Sequence, residues 1–258
     1  MRLLMIGDIV GKPGRRAVSK ILPGLRLEYG INIVVANGEN AAGGLGITQD
    51  TAQELLDSGV DVITTGNHVW AKREIIPVFE SGDLPILRPL NLPPDAPGCG
   101  FIVFKKVLIV SLMGRVFMGE SDCPFRAMDS LLEKMKDEVQ AVVVDFHAEA
   151  TSEKVAMGRY LDGRVSALLG THTHVGTVDS VILPKGTAYV TDIGMVGPND
   201  SVIGDDAESV LHSFLTGMPH RLSVGKGISI FNAMLVEIDK NTGKALSIQR
   251  IQREEVEE

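Results

Sequence analysis

Five short apolar runs in this chain each end in a side chain able to bind a metal ion or carry a proton. Asp8 follows Met5-Ile6-Gly7, and Glu39 and Asn40 follow the run 34–36. Asn67 and His68 follow 62–66, His147 follows 142–146, and His172 and His174 follow 168–171. The chain has six histidines, and only His212 and His220 lie outside these segments. One histidine alone reads as an interior or surface residue; four gathered at strand ends read as a metal site. The donors are imidazole, carboxylate and amide oxygen without thiolate, a set that suits iron, manganese or zinc better than copper(I) or an iron–sulfur cluster. They outnumber the needs of one ion. Two ions sharing a bridging carboxylate account for the count, and a pair roughly 3.5–4 Å apart is the arrangement that attacks phosphate esters.

Spacing adds detail. His172 and His174 are two apart, so on an extended strand they point the same way, and in a loop they reach neighbouring ions. Gly7, Gly38, Gly66 and Gly170 stand one or two residues before ligands. Each permits a sharp turn or a close backbone approach there.

The elements that must position these groups follow from periodicity. Aliphatic and β-branched runs predict strands over 3–6, 31–36, 60–64, 107–112, 139–146, 165–169, 188–191 and 228–238. Helical patterns cover 15–29, 49–58, 73–81 and 128–136. The alternation predicts an α/β fold of right-handed βαβ units, its sheet covered on both faces. Ligands in such folds bind beyond the carboxyl ends of the strands. The turn signal at 241–243 predicts a late hairpin, which makes the sheet mixed. The charged tail 250–258 is expected to fray. Residues 194–227 are rich in Gly, Pro, Asp and Ser, with a short helical piece over 208–216. They form an excursion that either lies over the site or is a plain surface connection.

Composition excludes other classes. The net charge of −8 argues against sequence-independent nucleic-acid binding, so no stable nucleic-acid complex is expected. No apolar run is long enough to span a membrane, and the first residues do not form a signal peptide. Cys99 and Cys123 make no metal-ligand spacing and no disulfide framework, which points to a cytoplasmic protein. The length fits one domain, 1–258.

The segments GDIVG, NGEN, GNHVW, FHAE and GTHTH, in this order, resemble the five blocks of the calcineurin-like metallophosphoesterases. The variant resembles the bacterial 2′,3′-cyclic-nucleotide 2′-phosphodiesterase family, from Met1 to beyond GMVGPNDSVIG. Two departures from the wider superfamily match that branch. Asp8 is followed by Ile9 and Val10, so the histidine of the usual Asp-x-His is missing. Glu39 stands where a bridging aspartate is usual, with Asn40 as the replacement ligand. The resemblance implies a metallophosphoesterase-type α/β sandwich, with mixed sheets flanked by helices. It implies two iron or manganese ions per chain. Asp8, Glu39, Asn40 and His174 would hold the first, and Glu39, Asn67, His147 and His172 the second, with Glu39 bridging and His68 as proton donor. The expected reaction is attack of a metal-bridging hydroxide on a 2′,3′-cyclic nucleotide, with release of a nucleoside 3′-phosphate. The alternatives are a broad phosphoesterase acting on RNA ends or other diesters, and a nucleotide-sensing regulatory protein.

Other residues carry weaker expectations. Trp70 either stacks on a base or packs inside. Arg115 either contacts phosphate or forms a surface salt bridge. The apolar residues of the excursion (Met195, Val196, Leu211, Phe214, Leu215, Met218 and Leu222) suggest a cap or an interface, and with it a homodimer or homotetramer.

Overall fold

The computed structural model describes residues 1–136 and 138–255. In chain order the elements are β1 (Arg2–Ile6), β2 (Asp8–Ile9), α1 (Gly11–Tyr29), β3 (Ile33–Asn37), α2 (Gln49–Asp57), β4 (Val62–Thr64), α3 (Ile76–Ser81) and β5 (Ile86–Leu87). Then come β6 (Phe101–Phe104), β7 (Val107–Met113), α4 (Pro124–Met135), β8 (Ala141–His147), α5 (Thr151–Leu161), β9 (Ala167–Thr171), β10 (Val181–Ile182) and β11 (Ala188–Val190). The chain ends through β12 (Met195–Pro198), α6 (Ala207–Thr216), β13 (Ser229–Ile238) and β14 (Ala245–Glu255).

These strands build two mixed sheets packed as an α/β sandwich. In one, β1, β3, β4 and β5 run parallel, and β13 adds antiparallel to β1. The other has the order β10-β11-β9-β8-β7-β6, parallel from β11 to β7. Alternation along the strands decides which side chains go where. Leu3, Met5, Ile33 and Val35 face Ile109, Val143, Leu169 and Val190 in a core between the sheets. Leu4, Ile6, Val34 and Ala36 face α1 and α2, and Leu108, Val110, Val142 and Val144 face α4 and α5. Each sheet therefore has helices on one face only, and the other sheet covers its second face. That differs from the doubly covered sheet read from strand–helix alternation.

β13 organises the first sheet. β14 lines one of its edges over the whole length, while β1 takes Ala233 to Glu237 of the other edge and β12 takes Ser229 and Ile230. At Gly7 the chain leaves β13 and continues as β2, which pairs with β12. A Cβ on Gly7 would lie 1.7 Å from the Gly194 carbonyl oxygen. Of the two uses open to this glycine, close approach is the one realised.

Several expectations change. α1 begins at Gly11, four residues early, because Pro13 is tolerated in a first turn whose N–H groups have no intrahelical partner to lose. Gly14 brings that turn against β12, where a Cβ would meet Val196 O at 2.4 Å. Met195 and Val196 belong to a buried strand of the first sheet and are not part of a loop patch. Residues 250–255 do not fray: they complete β14. Arg250 donates to the carbonyls of Ile193 (2.6 Å) and Thr177 (2.7 Å), and buried Glu255 pairs with Arg16 and Lys20. The last three residues of the expected tail lie outside the described ones.

Candidate functional site

Four parallel strands and the short β2 deliver the polar groups to one end of the sandwich. Asp8 starts β2, Asn37 ends β3, and His147 ends β8. Glu39 and Asn40 follow β3, Asn67 and His68 follow β4, and His172 and His174 follow β9. Both histidines after β9 have positive φ, 103° and 65°, so the loop turns each ring separately. Gly66 lets β4 pass under His147; a Cβ there would lie 2.1 Å from the ring.

One set of donors converges around His147. Its Nε2 lies 3.1 Å from Glu39 Oε1, 3.0 Å from Asn67 Oδ1 and 3.0 Å from His172 Nδ1. A second set adjoins it across Glu39. His174 Nε2 lies 3.1 Å from Asn40 Nδ2 and 3.9 Å from Asp8 Oδ1, and Asn40 Nδ2 lies 3.5 Å from Glu39 Oε1. As placed, Asn40 turns its nitrogen inward and its oxygen to His68 Nδ1 at 2.9 Å. A half-turn of the amide would exchange the two, and it is needed for Asn40 to offer oxygen to a cation.

These residues fit a bound cation. Asp8, Glu39 and His147 are fully buried, and Asp8 Oδ1 has no hydrogen-bond partner. A buried carboxylate oxygen left without one is costly unless an ion takes it. The field points the same way. Burial pushes the Asp8 carboxyl up to about 6, against the attraction of His174 and His147. Burial also opposes ionisation of Glu39, but His147 and His68 overcome it and hold the carboxyl well below its usual range. Burial disfavours charge on His147 too, yet Glu39, Asp8 and Asp145 raise it to about 9. His172 is driven down to about 3 by burial and by His147. The pocket therefore favours positive charge beside Glu39 and leaves His172 a neutral lone-pair donor, as a cation site requires.

A supporting layer that sequence reasoning missed lies beneath. Asp145 accepts from Thr171 Oγ1 (2.6 Å) on one oxygen and from Asn37 Nδ2 (3.0 Å) and Thr64 Oγ1 on the other. Since Thr171 donates to Asp145, it accepts from His147 Nδ1 at 2.9 Å. That fixes a proton on Nδ1, so Nε2 is the nitrogen that faces Glu39 and the one that would ligate once a cation displaces its own proton. The buried pair Lys154–Asp192 (2.7 Å) pins the histidine loop, with Lys154 bonding Thr171 O and Asp192 accepting from the backbone and hydroxyl of Thr173. The only signal for Asp145 was an acid inside the apolar run 142–146.

Above the donors is a cavity of ≈ 350 Å³ lined by His68, His172 and His174, by Glu149 and Asp205, and by the apolar Val10, Leu45 and Ile203. His68 is partly exposed at its wall, and its backbone N–H holds Glu39 Oε2 at 3.1 Å. Trp70 lies away from this lining and packs edge-on against Phe79. Arg115 is exposed and lies outside the lining as well.

The sequence model of the YmdB-like proteins matches residues 4–251. The chain belongs to the YmdB-like family. It is 44% identical over 97% of its length to the 2′,3′-cyclic-nucleotide 2′-phosphodiesterase of Bacillus subtilis, covering 96% of that protein. A putative phosphatase/phosphodiesterase of Mycoplasma genitalium is 35% identical over 97% of the chain and 92% of its own. Among solved structures, a hypothetical protein from Thermus thermophilus superposes with a TM-score of 0.93 at 45% identity, covering 99% of this chain and all of the other. A phosphatase from Mycoplasma pneumoniae gives 0.92 at 34% identity, over 98% and 93%. Membership in the YmdB-like family thus extends over both sheets and every residue of the site described above.

Proposed function

We propose that this protein is a metal-dependent phosphodiesterase that opens 2′,3′-cyclic nucleotides to nucleoside 3′-phosphates. The observation that carries the reading is the convergence of Glu39, Asn67, His147 and His172 beside Asp8, Asn40 and His174 under one open cavity. The relationship to the Bacillus subtilis phosphodiesterase supports the substrate. Asp8, Glu39, Asn40 and His174 would hold one ion and Glu39, Asn67, His147 and His172 the other. The mixed oxygen and imidazole set suits iron, manganese or zinc, and the resemblance to the metallophosphoesterases favours iron or manganese among them. When bound, the ions supply an acidified water for attack on phosphorus and offset the charge that grows on its oxygens.

The chain's own groups do the rest. Asp8 and Glu39 bring negative charge to the floor of the cavity, and the Thr171–Asp145 relay keeps the proton on His147 Nδ1 so that Nε2 is the ligating nitrogen. Asn40 engages Nδ1 of His68, which leaves Nε2 as the nitrogen available in the cavity. From there His68 gives a proton to the departing ribose 2′-oxygen, an alkoxide that leaves poorly without one. General-acid assistance of this kind contributes roughly 10²–10⁴-fold.

The reading extends to the whole molecule. A single domain works in the reducing cytosol, where free Cys99 and Cys123 are stable. Among the described residues no helix is long and apolar enough to cross a membrane. Leu211, Phe214, Leu215 and Met218 on and after α6 are exposed and suit contact with a second copy, giving a homodimer or homotetramer. Light scattering reads that directly, and a one-chain mass refutes it.

The deciding experiment pairs elemental analysis with turnover of 2′,3′-cyclic AMP, 3′,5′-cyclic AMP and a model diester. About two ions per chain are expected, with the 2′,3′-cyclic ester preferred. One ion in a fully active preparation overturns the two-ion centre. A preference for 3′,5′-cyclic AMP or for the model diester overturns the substrate.

A further inference from the structure

The segment after β12 meets the site at Ile203 and Asp205, and it is Ile203 that touches a proposed ligand. Its carbonyl accepts from His174 Nδ1 at 2.6 Å, which leaves Nε2 facing Asn40 and Asp8. Val202 and Asp205 exchange both backbone hydrogen bonds, 2.9 and 3.1 Å, so Ile203 and Gly204 are the central pair of a tight hairpin loop. Both have positive φ, 50° and 106°. Loops of this kind select Asn-Gly or Gly-Gly, because a Cβ-branched side chain is a genuine outlier there.

Isoleucine at this position is not explained by packing, since it is 52% exposed. Nor is it explained by His174, which needs only the backbone carbonyl that any residue supplies. What the side chain does line is open space on two sides. It borders the ≈ 350 Å³ cavity over the metal-binding groups and an adjoining one of ≈ 400 Å³ that runs past His174 to Asn199, Asn232 and Gln252. Strained backbone persists at sites where function selects it.

We infer that the Ile203 side chain is a specificity-determining contact, an apolar ledge on which the nucleobase of the substrate lies while its phosphate sits over the metal-binding groups. The inference rests on the cyclic-nucleotide reading above. Leu45, nearly half exposed, adds apolar surface to the same cavity. The exposed amides of Asn199 and Gln252 beyond the ledge offer donors and acceptors to the base edge, the usual division of labour in ligand pockets. A flat apolar contact accepts any base, and the larger purine face gains more from it than a pyrimidine.

The test is Ile203→Asn in the metal-loaded protein, read as the ratio of kcat/KM for 2′,3′-cyclic AMP to that for base-free ribose 2′,3′-cyclic phosphate. Asparagine suits positive φ and keeps the carbonyl, so Tm should rise by roughly 2–4 °C. The preference for the nucleotide should fall by roughly tenfold, the low end for a lost apolar pocket contact. Ile203→Gly should lose as much and guards against a new contact made by asparagine. An unchanged ratio overturns the inference, including the case where both rates fall together, since that outcome marks a residue that only positions His174. Equal wild-type rates on the two substrates also overturn it. If the wild-type protein turns over neither, the proposed function has failed instead.

Discussion

Replacing Asp145 with asparagine should weaken one ion and spare the other while the fold stays intact. Asn37 and Thr64 both donate to Oδ2 of Asp145, and Thr171 alone donates to Oδ1. An asparagine keeps two of these three bonds by setting its carbonyl where Oδ2 lies. Its amide NH₂ then faces the Thr171 hydroxyl as a second donor. The hydroxyl proton has to turn, and the acceptor within reach is His147 Nδ1 at 2.9 Å. That forces the ring proton onto Nε2, into the space shared by Glu39 Oε1, Asn67 Oδ1 and His172 Nδ1. Outer-layer changes of this type cost roughly 10–100-fold in metal affinity, or about 1.4–2.8 kcal/mol. Calorimetric titration with Mn²⁺ should show one weakened site and one unchanged. Thr171→Val should weaken the same site, because it removes the acceptor for Nδ1. If Asp145→Asn binds both ions as tightly as wild type, the tautomer argument is wrong.

Three further outcomes are expected. His68→Ala should retain both ions and lose roughly 10²–10⁴-fold on 2′,3′-cyclic AMP, with a smaller loss on a nitrophenyl diester whose leaving group needs no proton; equal losses would exclude the acid role. Gly66→Ala drives a methyl into the His147 ring, so it should bind the second ion poorly and lose about 1–3 kcal/mol by overpacking, which metal analysis and denaturant titration can check. Lys154→Met leaves Asp192 buried without its cation, a loss of about 3–5 kcal/mol that should lower Tm by roughly 6–20 °C; an unaltered melting curve would show that the pair adds nothing to the histidine loop.

Much of this molecule was legible because chemistry and periodicity coincide in it. Each of the five apolar runs carries its polar group at or just beyond the strand end, so reading the runs located the donors. His147, Thr171 and Asn37 close their strands where an interruption was expected, since a polar residue inside a sheet still extends it when its partners lie below. α5 was missed because its side chains are nearly balanced around the axis: buried Lys154 takes a core position, and Gly158 lies where a Cβ would strike the Tyr189 ring. β12 was hidden by the glycine and proline in Met-Val-Gly-Pro, which local preference assigns to loop. The Asp145–Thr171 relay left little trace, since it joins residues from four strands and depends on which oxygen faces which donor. The alternation did predict a parallel sheet, but not that a second sheet would cover one of its faces.

The division of β13 between β1 and β12 also bears on the order in which the protein can assemble during synthesis. β1, β3, β4 and β5 can pair as soon as they leave the ribosome, yet the other edge of β1 stays open until residues 233–237 arrive. All of β1 after Arg2 is apolar and buried in the finished molecule. Until then the nascent chain carries an unpaired hydrophobic edge for most of its translation, the kind that recruits other chains. Asp8 waits as well, because β2 pairs with β12, and β12 is held in turn by Ser229 and Ile230 of β13. A polypeptide stopped before residue 229 should therefore be prone to aggregation and unable to complete its ion-binding centre, although every one of the proposed ligands has already been made.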